Sequence, residues 1–172
     1  SFGILKKEIE AVASVAAGTP TEVAALATAL SRAGFTADQT AKSLRGIVLG
    51  AEATDIAFAD MGGIVGTILK TFGKDASQTG AVVDSLVKSA NSANQTVTDV
   101  GEAMSYAASQ ASALGVSVDD TLALIALLAD AGVKGSRAGT TLATGFNRIQ
   151  IAAGGGDSEM QELIRGSAKM IE

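Results

Sequence analysis

The chain has 172 residues, of which 47% are hydrophobic and only 3% aromatic, and it carries a net charge of -5. It contains no histidine and no cysteine, so it lacks the commonest general base and metal ligand, any thiolate nucleophile and any disulfide framework. An acidic balance (pI about 4.7) without a run of Lys or Arg argues against a phosphate-backbone partner, so nucleic acid is not expected.

The length suits one domain with a small appendage. Alanine and 20 glycines dominate the apolar content, with a single proline. Side chains this small gain dispersion energy only when helices approach closely. The chain starts at Ser1 without a methionine and shows no signal-peptide pattern, so an excerpt of a longer protein is expected. No 18-residue apolar run occurs; the nearest, Ala51 to Phe72, is interrupted by Asp55, Asp60 and Lys70.

Apolar residues recur at helical spacing almost throughout. Thr19-Pro20-Thr21-Glu22 supplies a capping hydroxyl, a first-turn proline and a carboxylate three residues on, and it opens a helix whose apolar face is Val23, Leu26, Ala27 and Leu30. The same start recurs at Thr36 with Gln39, Asp75 with Gln78, Thr96 with Asp99, Ser117 with Asp120 and Ser158 with Gln161. Gly34, Gly73 and Gly115 each stand two residues before one of these caps, where a left-handed residue closes a helix; Ala131-Gly132-Val133-Lys134 is a fourth such corner. Val97, Val100, Met104, Ala107, Ala108 and Ala111 line one face of the helix begun at Thr96.

The segment from Val118 to Ala131 is apolar on nearly every side through Leu122, Leu124, Ile125, Leu127 and Leu128, and is expected to be the central, most buried helix. Beyond Ile149, the run Gly154-Gly155-Gly156 is expected to break the chain, dividing a helical domain over 1–150 from a linker and amphipathic helix over 151–172 (Met160, Leu163, Ile164, Ala168, Ile171). A slide of 98 positions lays Glu22 on Asp120, Leu26 on Leu124, Leu30 on Leu128 and Gly34 on Gly132, an echo read as duplicated helical hairpins. The fold predicted is all-α: about eight or nine short helices in antiparallel hairpins with glycine turns, forming a compact bundle.

No catalytic, cofactor-binding or metal-ligating residue is nominated. Gly132-Val133-Lys134-Gly135-Ser136 has the components of a phosphate loop in the wrong order and follows a helix, so it reads as a turn. Gly62 and Gly66 have the spacing that lets two helices meet backbone to backbone. Asp119-Asp120 is explained by helix-start electrostatics. Asn94-Gln95-Thr96 satisfies a glycosylation spacing by coincidence.

The stretch from Thr19 to Ile149 resembles the conserved helical region of bacteriophage tail tape measure proteins. The residues that carry the resemblance are Ala113-Leu114-Gly115-Val116-Ser117-Val118-Asp119-Asp120-Thr121, then Leu127 through Thr140 (LLADAGVKGSRAGT), with Leu142, Asn147 and Arg148 following. The resemblance implies a structural and assembly module that sets tail length and templates tube polymerisation, with no catalytic residues in this region. It implies tail tube protein and tail assembly chaperones as partners, self-association, and a place in the virion, inside the tail tube, after assembly in the host cytoplasm. Some relatives carry cell-wall-cleaving domains elsewhere in the chain. The alternative is a membrane-active helical domain that helps form a channel for genome delivery, for which Ala51 to Phe72 is the basis. Slim Ala/Gly helices are also expected to pass from hairpins to an extended form at modest cost.

Overall fold

In the computed structural model, the backbone is described over residues 2–168 and the side chains over residues 3–153. The chain is all-α. The helices are α1 (Phe2–Val15), α2 (Pro20–Arg32), α3 (Ala37–Thr54), α4 (Phe58–Thr71), α5 (Thr79–Ser92), α6 (Val97–Ala113), α7 (Val118–Asp130) and α8 (Gly135–Ala168), with a single 3-10 turn (Ala76–Gln78) leading into α5.

The starts form as the sequence predicts. Thr19, Thr36 and Thr96 each accept from the backbone N–H three residues on, while Glu22, Gln39 and Asp99 reach back to the cap backbone. Asp75 and Gln78 make the same box around the 3-10 turn, and Ser117 accepts from the Asp120 amide. Each such cap stabilises its helix by about 1 kcal/mol.

Six corners are closed by one residue in the left-handed region, followed by an amide that reaches back five residues. Gly34, Gly73, Gly115 and Gly132 fill four of these positions, as expected; Asp55 (φ 53°) and Asn94 (φ 46°) fill the other two. The closing bonds are Phe35 N–H to Leu30 (3.1 Å), Ile56 to Ala51 (3.1 Å), Lys74 to Leu69 (2.8 Å), Gln95 to Ala90 (3.1 Å), Val116 to Ala111 (2.9 Å) and Val133 to Leu128 (2.8 Å).

Consecutive helices pack antiparallel, and all substantial packing joins a helix to its neighbour or to the next but one. Helices two apart run parallel. Ser43 meets Thr79 and Gly46 meets Gly80 between α3 and α5; Leu26 meets Gly62 and Leu30 meets Gly66 between α2 and α4. The result is two rows, odd helices in one and even in the other. The core lies between them, built from Leu26, Leu30, Leu44, Ile47, Met61, Leu69, Leu86, Met104, Leu122 and Ile125.

Two expectations need correction. Helix α7 is not the most buried: Leu127 is 65% exposed and Leu124 and Leu128 are half-buried. In the odd row α7 has only α5 beside it, so one apolar flank lacks a neighbour. The expected break at Gly154–Gly156 is absent, since α8 is continuous from Gly135 to Ala168. Three glycines weaken a helix by about 1 kcal/mol each relative to alanine, but none removes a backbone donor as proline does. The Ser158 start therefore falls inside a helix, and the apolar set from Met160 to Ile171 lies outside the described side chains. Finally, the 98-residue echo spans five helix–turn units, from the corner at Gly34 to the corner at Gly132. Five is odd, so the slide maps α2 of one row onto α7 of the other. It also lays α3 on the start of α8, so it carries the α2–α3 hairpin onto the α7–α8 hairpin with the rows exchanged.

The closest backbone approach is in the α6–α8 seam. A Cβ at Gly139 would overlap the Ala103 carbonyl oxygen and lie 2.8 Å from the Ala103 Cα. Backbone cannot move aside as a flexible side chain can. Gly139→Ala should therefore destabilise the fold by about 1–2 kcal/mol, overpacking outweighing a helix-propensity gain of about 1 kcal/mol. A urea titration checks this; an unchanged or raised midpoint would contradict it.

Candidate functional site

The side chains with chemical potential are concentrated at the corners, where helix ends expose backbone groups. Between Gly132 (φ 82°) and Gly135 (φ 57°), Lys134 Nζ donates to the Asn94 carbonyl oxygen at 2.6 Å. The segment that holds the components of a phosphate loop is a helix–helix turn, and its lysine ties the α7–α8 corner to the α5–α6 corner. Parallel ties occur elsewhere. Ser112 Oγ donates to the Thr71 carbonyl at 2.9 Å, and the Ala17 amide donates to Glu52 Oε1 at 2.6 Å. Each of these three bonds stitches one corner to the next but one on the same end of the array.

The acids with side-chain partners among the described residues serve helix starts or bridges between helices. Asp120 accepts from the Ser117 hydroxyl at 2.7 Å. Asp119 accepts from Ser85 across the α5–α7 groove at 2.6 Å, while Ser89 Oγ donates to the Leu122 carbonyl at 3.0 Å. That groove, of about 390 Å³, is lined by these residues with Lys88, Ser92 and Ala126. Its serine hydroxyls donate to Asp119 or to backbone carbonyls of the two helices, as in a seam between parallel helices. Among the described residues, no three potential metal ligands converge. Gly62 and Gly66 receive the side chains of Leu26 and Leu30 of α2, so the backbone-to-backbone approach that their spacing permits is not what they make here. The stretch from Ala51 to Phe72 is divided by the Asp55 corner, and its Met61, Val65, Ile68 and Leu69 point into the core. Among the described residues no helix is long and apolar enough to cross a membrane.

Two features escaped the sequence reading. Asn94 is a corner residue; its glycosylation-like triplet is the corner pattern (left-handed residue, any residue, cap) with Asn in place of Gly. Gln95, which follows it, is only 9% exposed, and neither side-chain amide atom has a hydrogen-bond partner among the described residues. The equivalent positions hold Phe35, Ile56, Val116 and Val133 in four of the other five corners.

Stacked α-hairpins joined by short capped corners define an all-α, repeat-built class of protein. The chain belongs to the phage-related minor tail protein family, which matches residues 6–170, and is thus a phage tail component of the virion. It is similar to the tape measure protein of Pneumococcus phage Dp-1, with 35% identity over 134 residues, 78% of this chain. The chain spans only 12% of that relative's length. No solved structure matches.

Two measurements probe the corners. Gln95→Leu keeps the volume and removes the unpaired amide, so it should raise unfolding stability by about 1 kcal/mol; a loss in calorimetry would contradict the reading. The second concerns acid. The backbone amide of Thr19, and then its hydroxyl, donate to Glu22 and hold its carboxyl below the ordinary range; the Ser77 amide does the same for Asp75. With folded values depressed, this stabilisation is complete above the ordinary carboxylate range, roughly pH 4, and is lost as pH falls through the folded values. Glu22→Gln should lower Tm slightly at neutral pH, where the ionised carboxylate contributes, and leave Tm at low pH nearly unchanged, so the acid limb of a Tm-versus-pH curve flattens. An unaltered acid limb would refute the assignment.

Proposed function

We propose that this chain is a structural and assembly module of a tail tape measure protein, taking part in tail length determination and tail tube assembly. The observation that carries it is the 35% identity over 134 residues to a protein of that name. The architecture supports the reading, because a stack in which each unit touches only near neighbours can be lengthened or shortened without redesigning a central core. In this reading the chain lies within the tail tube, having met tail assembly chaperones and tube subunits in the host cytoplasm. Its own chemistry is packing and backbone capping, and the corner acids and lysines hold the stack.

The test is made in the full-length parent. Deleting residues 36–74 removes one complete hairpin, roughly 40 residues, and joins Gly34-Phe35 directly to the Asp75 cap. Tails measured by electron microscopy should shorten by about 60 Å if the segment lies helical along the tube at 1.5 Å per residue. If it lies fully extended, the change should be roughly twice that. Duplicating the same residues should lengthen tails by a matching amount. Tails of unchanged length in both variants would overturn the proposal.

A further inference from the structure

The outer sides of the two rows differ in charge. In α2, α4 and α6 the central segments 23–31, 61–69 and 103–113 contain no charged residue. In the odd row α1, α3 and α5 carry charges at mid-length, among them Lys7, Arg45, Asp84 and Lys88, and only α7 does not. The exposed centre of the even row is instead made of small side chains: Ala25 and Thr28 of α2, Gly63 and Thr67 of α4, and Ser105 and Ser109 of α6. Three of its four hydroxyls are already used, Thr28 donating to the Ala24 carbonyl, Thr67 to Gly63 and Ser105 to Glu102, at 2.9, 2.9 and 2.7 Å. Covering these three groups strands no donor, and side chains this small let another backbone come close. The charges of this face stand at its two ends, with opposite signs. Asp60, Gly63, Thr67 and Lys70 follow one another on the exposed side of α4, so its carboxylate and ammonium are separated by about 15 Å of helix. Glu102 of α6 lies at the Asp60 end and Arg32 of α2 at the Lys70 end. All four are exposed, and none has an ion-pair partner among the described residues.

We propose that this face binds a second copy of the chain about a two-fold axis running along the row, so that each even helix meets its counterpart antiparallel. That operation lays the uncharged centres on one another and brings Asp60 of each copy to Lys70 of the other, an isologous contact in which both pairs form at once. A two-fold along the helices would set acidic end on acidic end and basic on basic, which like-charge repulsion disfavours. With the axis along the row, the rows of both copies run in the same direction, so contact at α4 is compatible with contact at α2 and α6. Three helices spaced about 10 Å apart and about 20 Å long present roughly 600 Å² per copy, less than the ~800 Å² of a standard interface, so the dimer is a weak one. The pairing follows from the charge pattern and holds whatever role the chain has in the tail.

Sedimentation equilibrium of the whole 172-residue chain at low salt tests it. The chain should dimerise reversibly at roughly 10–100 μM, and the dimer should weaken severalfold as salt rises. Asp60→Lys and Lys70→Asp should each be monomeric alone, because each sets like charges together. An equimolar mixture of the two variants should dimerise, because both cross-copy pairs are then restored. Gly63→Glu, at a position where an added Cβ meets nothing within 4 Å, should keep the fold by circular dichroism and abolish the dimer. Three results would overturn the proposal: a chain that stays monomeric to about 1 mM, which leaves the face to another partner or to solvent; a dimer that Gly63→Glu leaves intact; or charge variants whose mixture behaves no differently from either alone.

Discussion

The structure depends on one backbone bond made six times. At the end of α2 through α7, an amide reaches back five residues to a carbonyl of the last turn, and the residue before that amide is left-handed. The bond gives a terminal carbonyl its partner and turns the chain out of the helix within about one residue. Two residues after the left-handed position comes the next cap in every corner where a side chain supplies one. Stop and start are therefore fused in a few residues, and the returning helix has little freedom except to fold back on the one just ended. The steric demand falls on a single position per corner. Glycine meets it without penalty, and Asp55 and Asn94 meet it because short polar side chains tolerate the left-handed region better than others.

Because every reversal is short, the third helix of any set lands beside the first and parallel to it. Two rows follow, and small residues set the spacing within each row. Gly46 and Gly80 bring α3 and α5 into backbone contact, and Gly139 does the same for α8 on Ala103 of α6. Register along the odd row is fixed by buried hydroxyls. Thr79 donates to the Ala76 carbonyl at 2.6 Å, so its 2.9 Å contact with Ser43 must use the Ser43 proton. Ser89 performs the same service on the Leu122 carbonyl. With 3% aromatic residues, the chain gains its cohesion from the number of close contacts rather than from large anchors. The lone ion pair within hydrogen-bonding distance among the described side chains, Lys42–Asp38 at 2.8 Å, is exposed and adds little.

Features governed by interactions within about six residues could be read from the sequence. The capping boxes at Thr19, Thr36, Asp75 and Thr96, and the corners at Gly34, Gly73, Gly115 and Gly132, are of this kind. Helix α1 escaped notice because its sequence has no cap motif ahead of its apolar face. Asp55 and Asn94 escaped because left-handed geometry was sought at glycine alone. The burial of α7 could not be read locally at all. Periodicity tells which faces are apolar, but whether a neighbour covers a face depends on how the helices are arranged, and that arrangement leaves Leu127 exposed. The same holds for Lys134. Its turn is legible from nearby residues, whereas its partner is a carbonyl 40 residues away that only the folded corner brings within reach.

A stack of this kind relates length to sequence in an unusually simple way. In a closed globule each element contacts many others, so adding residues disturbs a shared core and is tolerated mainly in loops. Here an inserted pair of helices would meet its neighbours through the same parallel and antiparallel contacts that every existing pair uses. Stability then grows by roughly equal increments, and no contact elsewhere must change. The corner motif occurs at intervals of 21, 18, 21, 21 and 17 residues, so the unit of addition is about one helix and its turn. An even number of units preserves the assignment of helices to rows, and an odd number exchanges the rows. The five-unit echo between α2 and α7 shows that one local pattern can serve either row. A chain assembled from such units can change its reach by whole units while keeping the local physics of every corner.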